Sequence, residues 1–226
     1  SDFGIKLSYK VQPSPDGLAQ AFILGDEFIG DDECAMVLGD NIFYGGGLTG
    51  KLIEAVKNAE EGYATIFGYY VTDPERFGVM EIDDEGKVLS VEEKPVNPKS
   101  NYCITGLYFY PKGVSERAKA VKPSARGELE ITMLNDSYLK DGTLKSKILG
   151  RGFAWLDTGT MDSLTDASSF VQMVQTRQGV VISSPEEIAY NHGWITKEKL
   201  LESAERYGKS PYGIHLRNVA ERRLIY

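Results

Sequence analysis

Cysteine and histidine are scarce in this chain, with two of each among 226 residues. Cys34 and Cys103 both sit in apolar runs and read as reduced core residues of a cytosolic protein, not as a disulfide framework. His192 and His215 are isolated, and neither His-x-x-x-His nor Cys-x-x-Cys spacing occurs, which argues against a zinc site. A Ser/His/Asp hydrolase would have to draw on one of those two histidines, and there is no Gly-x-Ser-x-Gly elbow. The Gly-x-Gly-x-x-Gly dinucleotide fingerprint is missing too. There is no signal-peptide pattern, and no apolar run approaches the roughly 18 residues of a membrane span. Basic residues are outnumbered, 25 Lys+Arg against 33 Asp+Glu, giving a net charge of −8. With no basic patch to offset it, that charge argues against nucleic acid as a partner. Repeats and low-complexity stretches are lacking as well.

What remains is an ordinary globular composition, 42% hydrophobic and 26% charged, in a chain long enough to bury a sizeable core. Ile5, Leu7, Tyr9 and Val11 alternate with polar residues, which predicts a half-buried strand. Residues 12–17 break regular structure, and Leu18 to Phe28 resume with helical spacing. Ala35 to Leu38 form a short continuous apolar run, as in a strand buried on both faces of a parallel sheet. Further strands are predicted over 63–71, 79–82, 87–91, 102–110 and 145–149, with Asp83-Asp84-Glu85-Gly86 as a hairpin turn. Helices are predicted over 49–59, 114–120, 128–140, 161–177 and 196–207, with a capped start at Ser184-Pro185. Interleaved strands and helices imply an α/β fold with a mixed, mostly parallel sheet flanked by helices. The divisions expected are 1–178, carrying that sheet, and a helical appendage over 179–226.

In open α/β sheets, ligands sit beyond the carboxyl ends of strands. Asp40 follows the run ending at Leu38, and Asp157 follows Phe153-Ala154-Trp155-Leu156. Two such carboxylates suit a hard divalent ion such as Mg²⁺, which takes oxygen ligands and completes its shell with water and phosphate. An aspartate after glycine is equally a common turn residue. Glu92-Glu93-Lys94-Pro95 ends a strand, either as a solvated end or as a carboxylate for sugar hydroxyls beside an ammonium for a phosphate. Arg126 precedes a helix, where it could meet an anion or a surface carboxylate. Gly45-Gly46-Gly47 lacks the Gly-Lys-Ser/Thr end of a P-loop and reads as a mobile loop.

Taken in order, these segments resemble a known family. Residues 11–21, VQPSPDGLAQA, resemble the Q-x-x-P-x-G-L-A-Q-A segment of bacterial sugar-phosphate nucleotidylyltransferases. Residues 38–45 (LGDNIFYG), 73–79 (DPERFGV), 92–95 (EEKP), 105–108 (TGLY), 123–132 (PSARGELEIT) and 155–160 (WLDTGT) follow in the same family's order. The resemblance covers essentially the whole chain and is closest to the glucose-1-phosphate thymidylyltransferases within that family.

The resemblance implies a Rossmann-like nucleotide-diphospho-sugar transferase fold and attack of the glucose 1-phosphate oxygen on the α-phosphorus of dTTP. The products would be dTDP-glucose and pyrophosphate, feeding dTDP-rhamnose and surface polysaccharide synthesis. It places Mg²⁺ between Asp40 and Asp157, with Lys94 and Arg126 on the sugar phosphate. Gln12 and Gly17 would meet the thymine base, while Gly78, Glu93, Ile104 and Gly106 line the sugar pocket. It also implies a cytoplasmic homo-oligomer, a tetramer in the family, whose tail after Gly179 serves subunit packing and a regulatory nucleotide. One family element has no match here, the loop G-G-x-G-T-R-L-x-P-x-T that cradles the triphosphate. The start at Ser1 therefore reads as a cut into a domain, and little or no transferase activity is expected of this chain alone. An exposed sheet edge favouring self-association is expected with it. Alternatives are a sister enzyme using UTP or another sugar 1-phosphate, and a non-catalytic sugar-nucleotide-binding module.

Overall fold

The computed structural model describes residues 3–223. They form two compact units, one spanning Lys10–Leu164 and the other made of the segments before Lys10 and after Leu164. The division between these units falls inside a helix, at Leu164.

In the larger unit the chain runs α1 (Gln20–Leu24), α2 (Asp26–Ile29), β1 (Cys34–Val37), β2 (Asn41–Gly45), α3 (Leu48–Glu60), β3 (Ala64–Tyr70), β4 (Gly78–Ile82), β5 (Val88–Glu93) and β6 (Tyr102–Tyr110). It continues through α4 (Val114–Lys119), α5 (Ile131–Lys140), β7 (Leu144–Leu149), β8 (Phe153–Asp157) and the start of α6 (Met161–Gln178). The β4–β5 hairpin turns as its acidic loop predicts. Asp83 Oδ1 accepts the backbone N–H groups of Glu85 at 3.0 Å and Lys87 at 2.8 Å, holding the turn from within.

The main sheet has the order β5-β4-β6-β3-β7, with β1 also paired to β6; β2 and β8 form a separate two-stranded ribbon. The α/β class and the mixed sheet are as expected, but the parallel majority is not. Among the described residues only β3–β7 is parallel, while β1–β6, β3–β6, β4–β5, β4–β6 and β2–β8 are all antiparallel. Length of run misled the reading here. An apolar run marks a strand covered on both faces, whatever the direction of its neighbours, and β6 is buried along nearly its whole length among antiparallel partners. β1 departs further, because its burial alternates and Val37 is 63% exposed.

The strand predicted over Ile5 to Val11 does not form. The segment is irregular and exposed, with Tyr9 at 89%, and no strand among the described residues pairs with it. Alternation describes a face, whereas a strand also needs a ladder partner for its N–H and C=O groups. The helix predicted from Leu18 is split at Gly25, whose N–H caps α1 by donating to the Ala21 carbonyl at 2.9 Å. The core gathers on the sheet face covered by α1, α4 and α5, around Ile66, Met80, Tyr110 and Leu134. Tyr110 stacks edge-on against Phe22 at 5.1 Å and donates its hydroxyl to Asn135 Oδ1 at 2.6 Å.

The smaller unit contains α7 (Pro185–Asn191), α8 (Lys197–Tyr207) and α9 (Pro211–Ala220), packed around Leu200, Ala204 and Leu216. α9 was not predicted, although Ser210-Pro211 is a sound helix start: the serine Oγ accepts the Gly213 N–H at 3.1 Å. On α7, Glu186 Oε2 accepts the Tyr212 hydroxyl at 2.5 Å and Glu187 Oε2 meets His215 Nε2 at 2.7 Å. No helix among the described residues is long and apolar enough to cross a membrane.

Candidate active site

One edge of β6 is shared by two strands. β1 pairs with residues 107–110 and β4 with Cys103, so the edge opens at Ile104–Gly106. The chain leaving β1 crosses this opening. Leu38 N–H donates to the Gly106 carbonyl at 2.9 Å, and the Gly106 N–H donates to Asn41 Oδ1 at 3.0 Å. A cleft of about 250 Å³ forms over the split. Seven of the ten predicted site residues line it, namely Asp40, Gly78, Glu93, Lys94, Ile104, Gly106 and Asp157.

The two aspartates come together through the β2–β8 ribbon. Its register sets Asn41 opposite Asp157, and the Asp40 carbonyl accepts both the N–H and the hydroxyl of Thr158, each at 2.9 Å. Asn41 Nδ2 donates to Asp40 Oδ1 at 2.8 Å. This is an oxygen-only donor set, which fits a hard divalent cation. Among the described residues no group of three His, Cys, Asp or Glu gathers at one point, so protein atoms alone would leave such an ion incompletely coordinated. Phosphate oxygens and water would supply the remainder.

On the opposite wall, β4 register places Gly78 beside Glu93. The Thr132 hydroxyl, at the start of α5, donates to Glu93 Oε2. A Cβ at position 78 would stand 3.1 Å from Thr132 Oγ1 and 3.4 Å from Glu93 Oε2, so small size there keeps the carboxylate in place. Lys94 adopts a left-handed backbone with φ 42°, unusual for a side-chain-bearing residue, and its N–H donates to the Phe77 carbonyl at 3.0 Å.

Arg126 does not line the cleft but stands beside it. Its Nε and Nη2 both donate to Glu130 Oε1, at 3.1 and 2.8 Å, and Nη2 lies 3.5 Å from Glu93 Oε1. These hydrogen bonds to the Glu130 carboxylate raise the guanidinium pKa above its ordinary value. Glu130 is itself 5% exposed and also accepts the Ser124 hydroxyl at 2.8 Å.

Gln12 and Gly17 lie outside the cleft lining. Gln12 Nε2 donates to Gln20 Oε1 at 2.6 Å, tying the 12–20 loop across itself. Gly17 has φ 103°, and a Cβ there would meet the Leu129 carbonyl oxygen at 2.4 Å. Close approach of the Leu129 backbone thus accounts for this glycine; on either side, Leu129 N–H donates to Asp16 at 2.7 Å and Ala19 N–H to Leu129 at 3.0 Å.

The sequence reading missed Asn41, Arg76, Thr132 and Trp155, which all line the cleft. Each lies inside a motif quoted above, next to or within a few residues of a predicted site residue. Arg76 was signalled only by its place between Asp73 and Phe77. In the structure it pairs with Asp73 Oδ2 at 2.8 Å and covers the Phe77 ring, which meets Trp155 edge-on at 5.3 Å.

Comparison with known proteins decides the family. Residues 1–173 match the nucleotidyl transferase family. The chain belongs to it. A glucose-1-phosphate thymidylyltransferase of Neisseria meningitidis is 57% identical over 96% of this chain, which spans 74% of that relative. One from Xanthomonas campestris is 51% identical over all of this chain and 76% of its own length. Among solved structures, a Bacillus anthracis protein named as a glucose-1-phosphate thymidylyltransferase, in complex with sucrose, superposes with a TM-score of 0.66 and is 41% identical, covering 75% of this chain and 66% of that one.

Proposed function

We propose that this nucleotidyl transferase moves a thymidylyl group from dTTP to glucose 1-phosphate, forming dTDP-glucose and pyrophosphate. The observation that carries the reading is one cleft with a carboxylate pair, Asp40 and Asp157, on one wall and a hydrogen-bonded carboxylate, Glu93, on the other. Relatives at 51–57% identity bear the name of this activity.

The chemistry follows from the residues. Glu93, oriented by Thr132, accepts hydroxyls of the hexose, and Gly78, Ile104 and Gly106 line the same pocket. Lys94 and Arg126 hold the sugar phosphate so that its oxygen faces the α-phosphorus in line, a step that needs positioning and charge stabilisation more than a general base. A divalent cation, Mg²⁺ in this reading, would be held by Asp40 and Asp157 and would offset charge on the reacting phosphates. Gln12 and Gly17 belong to the loop assigned to the thymine base. We further infer a cytoplasmic homo-oligomer, with 1–178 as the transferase domain and 179–226 as its appendage; light scattering giving a clean monomer would overturn the assembly.

The test is pyrophosphate release with glucose 1-phosphate, Mg²⁺ and dTTP beside UTP and CTP, accompanied by calorimetry with dTDP-glucose and UDP-glucose. Selective binding of dTDP-glucose that is lost in Glu93→Gln supports the reading, as does dTTP-dependent release. Preference for UTP and UDP-glucose would overturn the nucleotide assignment.

A further inference from the structure

Asn41 makes hydrogen bonds in three directions. Its Oδ1 accepts the Gly106 backbone N–H at 3.0 Å and the Trp155 indole Nε1–H at 2.6 Å, while its Nδ2 donates to Asp40 Oδ1 at 2.8 Å. The orientation of this amide is settled by chemistry. A backbone N–H and an indole N–H can only donate, so the atom they converge on must be the oxygen. Both lone pairs of that oxygen are then in use, and the nitrogen has to face the carboxylate.

The surroundings are shaped for this arrangement. A Cβ on Gly106 would fall 2.7 Å from Asn41 Oδ1 and 2.8 Å from Leu38 Cβ, so only glycine lets β6 approach the amide. Trp155 is pinned in turn by Tyr69 and Phe77, with ring centroids at 5.9 and 5.3 Å. The amide is therefore anchored at two points on the sheet and ribbon, and its third bond transmits that anchoring to Asp40.

We propose that Asn41 is a positioning residue for the cation site, acting through Asp40 by fixing one carboxylate oxygen and leaving the other turned toward the metal. The proposal rests on the reading of Asp40 and Asp157 as cation ligands. Hydrogen-bond partners behind metal ligands contribute about 10–100-fold to metal affinity or activity when removed. Loss of the Asn41 donor lets the Asp40 carboxylate rotate, and an ion held by only two protein carboxylates is sensitive to the placement of each.

The test titrates Mn²⁺ into the purified full chain and reads binding from water-proton relaxation, without substrates. Asn41→Ala is expected to weaken Mn²⁺ binding about tenfold or more. Trp155→Phe removes one of the two anchors of the same amide but leaves the Asp40 bond, and is expected to weaken Mn²⁺ binding less than Asn41→Ala does. Wild-type affinity in Asn41→Ala would overturn the proposal. Equal weakening in both variants would overturn it too, since that marks a general loosening of the pocket. Asp157→Asn separates the two layers: if it binds Mn²⁺ as the wild type does, the cation reading itself fails. Should Asn41→Ala not fold, the wild-type protein still decides. Its Asn41 side-chain amide resonances are expected to shift saturably as Mg²⁺ is added, and unshifted resonances would overturn the coupling.

Discussion

Gly106→Ala tests whether the cleft depends on close approach of β6 to Asn41. Gly106 is absent from the glycines with positive φ, so alanine fits the backbone and the cost is steric alone. The added methyl would lie 2.7–2.8 Å from Asn41 Oδ1, Asn41 Cγ and Leu38 Cβ. Overpacking by one methyl group costs about 1–3 kcal/mol. If Asn41 is displaced to relieve the clash, the hydrogen bonds from the Gly106 N–H and the Trp155 indole are lost, at about 1 kcal/mol each. The sum is about 3–5 kcal/mol, or roughly 6–20 °C in Tm at about 2–4 °C per kcal/mol for a domain of this size. Thermal unfolding followed by circular dichroism reads this directly. The double variant Asn41→Ala/Gly106→Ala identifies the partner, because removing the Asn41 side chain relieves its share of the clash and leaves only that with Leu38 Cβ, so the second loss should be smaller than the first. A Tm shift under about 2 °C for Gly106→Ala would refute the reasoning. Strict additivity in the double variant would refute Asn41 as the group struck.

Thr132→Val keeps the shape of a buried residue but removes the hydroxyl donor that orients Glu93; the calorimetric Kd for dTDP-glucose is expected to rise about tenfold. Arg126→Lys cannot reproduce the two-nitrogen grip on Glu130, and a loss of about 1–3 kcal/mol in denaturant unfolding is expected from the under-satisfied buried carboxylate. Burial pushes the Cys103 thiol up to about 12 and the Cys34 thiol up to about 11, so the folded protein should resist iodoacetamide at neutral pH and label only when unfolded; rapid labelling of native Cys103 would contradict this. Burial also raises Tyr108 and Tyr110, and takes Tyr138 to about 12. These groups stay protonated in the folded state at pH values where the unfolded chain ionises. Their contribution is therefore complete below the ordinary thiol and phenol values of 9.0 and 10.0 and is lost as pH rises toward about 12. Unfolding free energy should fall across that window, checked by denaturant titration at a series of alkaline pH values.

Local patterns were legible where local forces decide the outcome. The β4–β5 hairpin was readable because Asp83 makes its own turn, and the extent of β6 because a run of eight buried residues needs neighbours on all sides. Strand direction was not readable, since burial says nothing about which way a neighbour runs. The Ile5 to Val11 alternation failed for the complementary reason, as the pattern was present and a partner among the described residues was not. At the site, charged residues beside strand ends announced themselves, and four of those named, Asp40, Glu93, Lys94 and Asp157, do share one cleft. Asn41 and Thr132 did not, because each is an ordinary polar residue whose importance lies in what it holds. Their roles depend on Gly106 and Glu93, which stand 65 and 39 residues away in the chain. Such pairings become visible only once β6 and α5 are folded against the ribbon and the hairpin.

The charges around the cleft explain why a protein of net charge −8 can accept two phosphorylated substrates. Asp40, Glu93 and Asp157 line it against Arg76 and Lys94, so its walls carry more acid than base. The guanidinium groups near the cleft are already engaged, Arg76 by Asp73 and Arg126 by Glu130. Such pairs are cations fixed in direction before any ligand arrives, so a phosphate meets them without their having to give up rotational freedom at that moment. Their partner acids nevertheless cancel much of their charge, and the positive field needed over reacting phosphates has to come from elsewhere. A divalent ion on Asp40 and Asp157 would reverse the sign of that wall. On the proposed reading of Asp40 and Asp157, dependence on a cation follows from the residue inventory of the cleft, and the hydrogen bonds that Asn41 and Thr158 make to Asp40 are where the fold would exert control over it.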